Sequence, residues 1–209
     1  MSGGEAALVL GLISSIITII DTTKKVYDAA TNKTGLPKAF GECAVKLPLV
    51  KNILESIEKG NVDEKGCKEA KGVSEGCKKK ASTLEELFQK VIPAEGASRS
   101  ERYYKAVKIL GKGNEVESLM KGILEDLALL SSERIMKTPT KTQQEQIAKA
   151  ISEIRDVPKS VPDDVFQETG PIINHSGSGT QYNAWGDYVA QGEARQWNSA
   201  GGTMNFGKE

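Results

Sequence analysis

The chain has 209 residues, with 28 basic side chains against 28 acidic ones and a single histidine. That length suits one domain with a real core plus an appendage. The charge balance excludes an overall electrostatic drive toward nucleic acid or an acidic partner. Three cysteines, Cys43, Cys67 and Cys77, are odd in number and lack CxxC spacing, which argues for reduced thiols in an intracellular protein rather than a disulfide framework.

The first element begins with an uncharged run at residues 6–20 (AALVLGLISSIITII), bounded by Glu5 and Asp21. It lacks a cationic leader and a small-residue cleavage site, so it does not read as a signal peptide. As helix it extends about 22 Å against a hydrocarbon core of about 30 Å, short for a membrane span. Leu8, Leu10, Leu12, Ile13, Ile16, Ile17, Ile19 and Ile20 cover most of its circumference, a breadth expected of a helix enclosed by neighbours or by lipid. The remaining stripe is small or polar: Ala7, Gly11, Ser14, Thr18 and Lys25. Gly11, Ser14 and Thr18 are therefore candidates for a close-packing seam against neighbouring helices. The pattern continues through TTKKVYDAATNK to Gly35.

Gly35-Leu36-Pro37 opens a second helix, in which Phe40, Ala44, Leu47, Val50, Leu54 and Ile57 recur at helical spacing and Pro48 predicts a kink or break. A third helix is expected over about residues 62–92, weakened in its first half by Gly66, Gly72 and Gly76. Lys78-Lys79-Lys80 reads as a solvated face. Ser98 to Glu101 has capping-box form and leads into Tyr104, Val107 and Leu110. Gly111-Lys112-Gly113 lacks the spacing and the Ser/Thr of a phosphate loop and reads as a turn. Val116, Leu119, Ile123, Leu127 and Leu130 make the cleanest amphipathic helix. A second capping box, Thr142 to Glu145, leads into Ile147, Ile151 and Ile154. Together these elements predict an all-α, multi-helix bundle with a long N-terminal hydrophobic helix over residues 1–157, then an acidic, Pro-punctuated linker at 158–169.

From Gly170 the composition changes to Gly, Asn, Gln, Ser and Thr with spaced aromatics. Gln181-Tyr182-Asn183-Ala184-Trp185-Gly186 is echoed by Gln196-Trp197-Asn198-Ser199-Ala200-Gly201. Such a segment buries too little to fold alone but gains amide ladders and aromatic stacks on copies of itself, so residues 170–209 are expected to be disordered or conditionally β-forming. Beyond Val157, Lys159, Arg195 and Lys208 face Asp163, Asp164, Glu168, Asp187, Glu193 and Glu209, an acidic balance unsuited to nucleic acid.

The only histidine, His175, lies in the tail, so no Ser/His/Asp or Cys/His constellation assembles within the helical body. No paired metal-ligand spacing, GxGxxG fingerprint or complete P-loop is present. The expectation is a protein without enzymatic activity, cofactor or metal.

Three stretches, EAALVLGLISSIITIIDTTKKVYDAA, GLPKAFGECAVKLPLVKNIL and RYYKAVKILGKGNEVESLMKGILEDL, resemble the SesA-type domain found at the N-terminus of fungal NACHT and other STAND NTPases. The resemblance covers roughly residues 2–137. SesA-type domains look related to the HeLo and HELL cell-death domains, helical bundles whose N-terminal hydrophobic helix is thought to attack membranes. Ser176 to Asn183 (SGSGTQYN) is similar to the sigma-type amyloid signalling motif of fungal incompatibility and immunity proteins, and Gln196-Trp197-Asn198 resembles a second unit. The motif residues would be Gly177, Gly179, Gln181, Tyr182, Asn183, Gln196, Trp197, Asn198 and Asn205. Asp187, Glu193, Arg195 and Met204 depart from the pattern.

The resemblance implies a stand-alone effector of programmed cell death. A separately encoded NACHT/STAND receptor with a matching motif would template self-assembly of the tail, and the N-terminal helix would then perturb membrane lipids. Leu8, Leu10, Leu12, Ile13, Ile16, Ile17, Ile19 and Ile20 would form the membrane-active surface. The protein would be cytoplasmic and move to the plasma membrane on activation. The alternative is a helical adaptor of the same signalling system without membrane activity.

Overall fold

A computed structural model describes residues 3–60, 66–93, 99–132, 135 and 140–166. The Gly/Asn/Gln tail, with every candidate motif residue from Gly177 to Asn205, lies outside the described residues. Among those described, the architecture is all-helical: α1 (Gly3–Ala29), α2 (Lys38–Glu58), α3 (Cys67–Val91), α4 (Arg99–Leu110), α5 (Val116–Leu130), α6 (Lys141–Arg155) and a closing 3-10 turn (Asp163–Phe166). Helix α3 packs against α1, α4 and α5, while α2 lies along α1 and α5 and α6 rests on α5 and α2. One hydrophobic core joins all six helices. The buried residues of α3 from Cys67 to Ala81 are all small (Cys67, Ala70, Ser74, Cys77, Ala81), which lets its neighbours approach closely.

Several boundaries differ from the sequence pattern for identifiable reasons. Helix α1 stops at Ala29 rather than Gly35, because Asn32 Oδ1 accepts the Thr34 N–H at 2.8 Å and Gly35 has a φ of 80°. That Asx turn competes with further helix. Helix α2 runs unbroken through Pro48. Pro48 is exposed, while Leu47 and Val50 beside it are buried, so packing holds the helix together despite the lost hydrogen bond. The turn at Gly111-Lys112-Gly113 is present, with both glycines at positive φ (87° and 90°). The cap of α6 falls two residues earlier than expected: Thr140 and Gln143 form the reciprocal capping box.

Two further differences concern side chains read as solvated. Lys80 reaches Asp126 on α5 at 2.6 Å. Its stem passes 2.8 Å from where a Cβ on Gly122 would sit, so a larger residue there would push this flexible side chain aside. Residues 158–166, read as part of a linker, lie against the helices, with Val161 1% exposed and Phe166 packed on the core. Cys43, Cys67 and Cys77 carry no disulfide and are all buried. Burial pushes the Cys77 thiol up to about 12 and the Cys43 thiol well above its ordinary value, so both stay protonated.

Candidate functional site: the docked N-terminal helix

Helix α1 is 27 residues long, about 40 Å at 1.5 Å per residue. It is the one described helix long and apolar enough to cross a membrane by length and composition. Only one narrow line of it is buried: Val9, Ile13, Ile16, Ile20 and Thr23, spaced four, three, four and three apart as one helical face requires. Of its most apolar 18 residues, 28% are buried.

The eight candidate membrane-active residues therefore divide. Ile13, Ile16 and Ile20 face the core, while Leu10, Leu12, Ile17 and Ile19 are half-buried and Leu8 is 46% exposed. Of the two expected surroundings, neighbours or lipid, neighbours cover one side of the helix, and the rest is half-buried or exposed. The small-residue stripe is corrected. Ala7, Gly11, Ser14, Thr18 and Lys25 are all exposed, and nothing lies within 4 Å of a Cβ built on Gly11. The close-packing small residues belong to α3 instead. Val9 and Thr23 are the members of the docking line that a list of large apolar residues misses. Their signal was the same three-and-four spacing extended one step at each end.

Polar contacts fix the C-terminal half of α1. Asp21 bonds Lys25 of its own helix at 2.6 Å and Lys51 of α2 at 2.7 Å. These two lysines hold the Asp21 carboxyl down to about 2. Tyr27 packs its ring against Phe88 of α3, centroids 6.1 Å apart, and Lys33 sits 4.0 Å over the Tyr27 ring. The connection from α1 to α2 is clasped from α4: Arg99 donates to the carbonyls of Asn32 (2.6 Å), Thr34 (3.1 Å) and Ile92 (3.1 Å), and Ser100 donates to that of Gly35 (2.9 Å). No such contact is described for residues 6–20 beyond the helix itself, where the Thr18 hydroxyl bonds back to the Ser14 carbonyl at 3.1 Å. The apolar half is thus held by packing along one line, and the charged half by packing plus ionic and hydrogen-bonded ties.

Among the described residues the protein is an all-helical bundle with a long apolar N-terminal helix. A family model for SesA, the N-terminal domain on NACHT NTPases and P-loop NTPases, matches residues 13–130, more than half of the 209-residue chain, and the chain belongs to that family. It is accordingly a NACHT-associated signalling domain. No curated protein and no solved structure matches the chain.

Proposed function

We propose that this SesA-type protein is a cell-death effector in which assembly of the C-terminal tail frees α1 to perturb a membrane. The observation that carries the reading is that α1 is more apolar than its docking uses. Leu8, Leu10, Leu12, Ile17 and Ile19 remain partly exposed in the bundle, and each gains on the order of 1 kcal/mol when fully withdrawn from water. Val9, Ile13, Ile16 and Ile20 exchange a protein interior for hydrocarbon, which is nearly as apolar. Thr18, Thr22 and Thr23 hydroxyls already bond the carbonyls four residues back, at 3.1, 2.9 and 2.8 Å, so the helix carries these polar groups into lipid already partnered. Opposing release is the apolar cradle on α2 and α3 that α1 leaves behind. The trigger is templated stacking of the tail by a NACHT-type receptor with a matching motif, its Gln181, Asn183, Gln196 and Asn198 side chains laddering between layers. Crowding the bundles around such a stack destabilises them. The protein acts without enzymatic chemistry, passing from cytoplasm to plasma membrane.

Dye release from anionic liposomes by the full chain, with and without seeds grown from a peptide of residues 170–207, tests this. Seeded protein should leak the liposomes. Leu8→Ser should leave stability within about 0.5 kcal/mol while cutting release several-fold. Replacing Gln181, Asn183, Gln196 and Asn198 with lysine should abolish the seeded response, because like charges would stack about 4.8 Å apart. Intact liposomes in the presence of seeded wild-type protein would overturn the membrane reading and leave the adaptor. Equal seeding of the lysine variant would overturn the motif assignment.

A further inference from the structure

The segment leading from α6 toward the tail is fastened by a directed chain of hydrogen bonds. The Glu117 carboxylate, in the first turn of α5, accepts the Ser160 N–H at 2.8 Å and the Ser160 hydroxyl at 2.6 Å. With its proton committed to Glu117, Ser160 Oγ accepts from the Tyr103 hydroxyl 2.5 Å away. Tyr103 Oη in turn accepts the Val116 N–H at 3.0 Å. Every donor in the series Val116, Tyr103, Ser160 therefore points toward one carboxylate, an arrangement in which each bond polarises the next. Burial raises the Tyr103 phenol above its ordinary value, which keeps it a donor. Beside the chain, Val161 is buried, and Asp163 pairs with Lys159 at 2.6 Å and Lys112 at 3.1 Å.

Tyr103 also belongs to an aromatic row that leads to α1. Its ring meets Phe40 of α2 edge-on at 5.1 Å, Phe40 meets Phe88 of α3 at 4.9 Å, and Phe88 meets Tyr27 of α1 at 6.1 Å. Tyr103, Phe40 and Phe88 are fully buried, so a shift of one ring displaces the next in a close-packed interior.

We propose that Ser160, Tyr103 and Glu117 form a latch that holds α1 in place through this aromatic row, and that drawing residues 157–166 off the bundle opens it. Lifting Ser160 leaves the Tyr103 hydroxyl without its acceptor, and the ring then shifts to turn that hydroxyl toward water or the freed Glu117 carboxylate. The inference rests on the reading of α1 as the released element, and its test uses no membrane.

Hydrogen exchange measured by mass spectrometry on the full chain distinguishes a latch from a merely stabilising cluster. Ser160→Ala and the near-isosteric Glu117→Gln should each accelerate exchange in residues 157–166 and in α1 by about tenfold, with smaller changes in α5 and α6. Ile147→Val, which trims the core under α6, is the comparison: its acceleration should not single out α1. Two results overturn the latch: residues 157–166 open while α1 exchanges as in wild type, or α1 accelerates only in step with every other helix. Selective α1 opening in a protein that leaves liposomes intact would support the latch while removing the membrane function.

Discussion

Helices α1 and α5 are both rich in leucine and isoleucine, yet the bundle uses them differently. Helix α5 buries Val116, Leu119, Met120, Ile123, Leu124, Leu127 and Leu130 and leaves only Leu129 among its large apolar residues substantially exposed. Helix α1 buries Val9, Ile13, Ile16 and Ile20 and leaves Leu8, Leu10, Leu12, Ile17, Ile19 and Val26 partly in solvent. An apolar face that matches its cradle is accounted for by folding. One that exceeds its cradle is not, and the surplus marks where a second environment has to be sought.

The largest expected effects break the comparison at its buried lines. Ile16→Ala and Leu124→Ala each remove a fully buried side chain and should each cost about 2–5 kcal/mol. If α1 is the detachable element, the two differ in form. Leu124→Ala should lower the guanidinium midpoint with an unchanged slope, whereas Ile16→Ala should split the transition or reduce its slope as α1 leaves first. Identical cooperative transitions for both would make α1 an ordinary core helix.

Most of the fold was legible because helical periodicity is local, and what was not legible was settled by distant partners. The capping-box pattern fits both Thr140 with Gln143 and Thr142 with Glu145. The first is used, and Gln143 Nε2 also reaches Ser56 Oγ on α2 at 2.9 Å, a contact no local rule supplies. Pro158 and Pro162 announced a linker, but Val161 between them is held by contacts with residues far back in the chain. Within α1 the wheel identified the stripes correctly yet could not say which one neighbours would cover. The isoleucine line was covered and the small stripe was not. The family was legible from its phrases, which run through α1, α2, α4 and α5.

A smaller effect sharpens that last point. Were Gly11 in a seam, Gly11→Leu would overpack it and cost about 1–3 kcal/mol. Because a Cβ there meets nothing within 4 Å, the substitution should instead stabilise by about 0.5–1 kcal/mol, the helix-propensity gain over glycine. A thermal melt gives the sign. The added leucine also raises the lipid affinity of the exposed face, so on the effector reading the variant is more stable as a bundle and still leakier when seeded. A stabilised variant that leaks no more than wild type would count against lipid contact by this face.

The smallest effect separates the two halves of α1 from each other. Asp21 lies just past the apolar run and pairs with Lys25 and with Lys51 of α2, which depress its carboxyl to about 2. A carboxyl that is more acidic in the folded chain adds stability wherever the unfolded chain is also ionised, above about pH 4, and loses it as the pH falls toward 2. Comparing wild type with Asp21→Asn cancels the other carboxylates. The wild-type advantage should be full at pH 7, shrink between pH 4 and 2, and diminish in high salt, since the pair is solvent-accessible. Ile16→Ala offers the contrast: its loss is apolar and should persist across the same pH range. If Asp21→Asn costs as much at pH 2 as at pH 7, ionic pairing is not what ties this half of α1 to α2, and the division of the helix into a packed half and a tethered half fails.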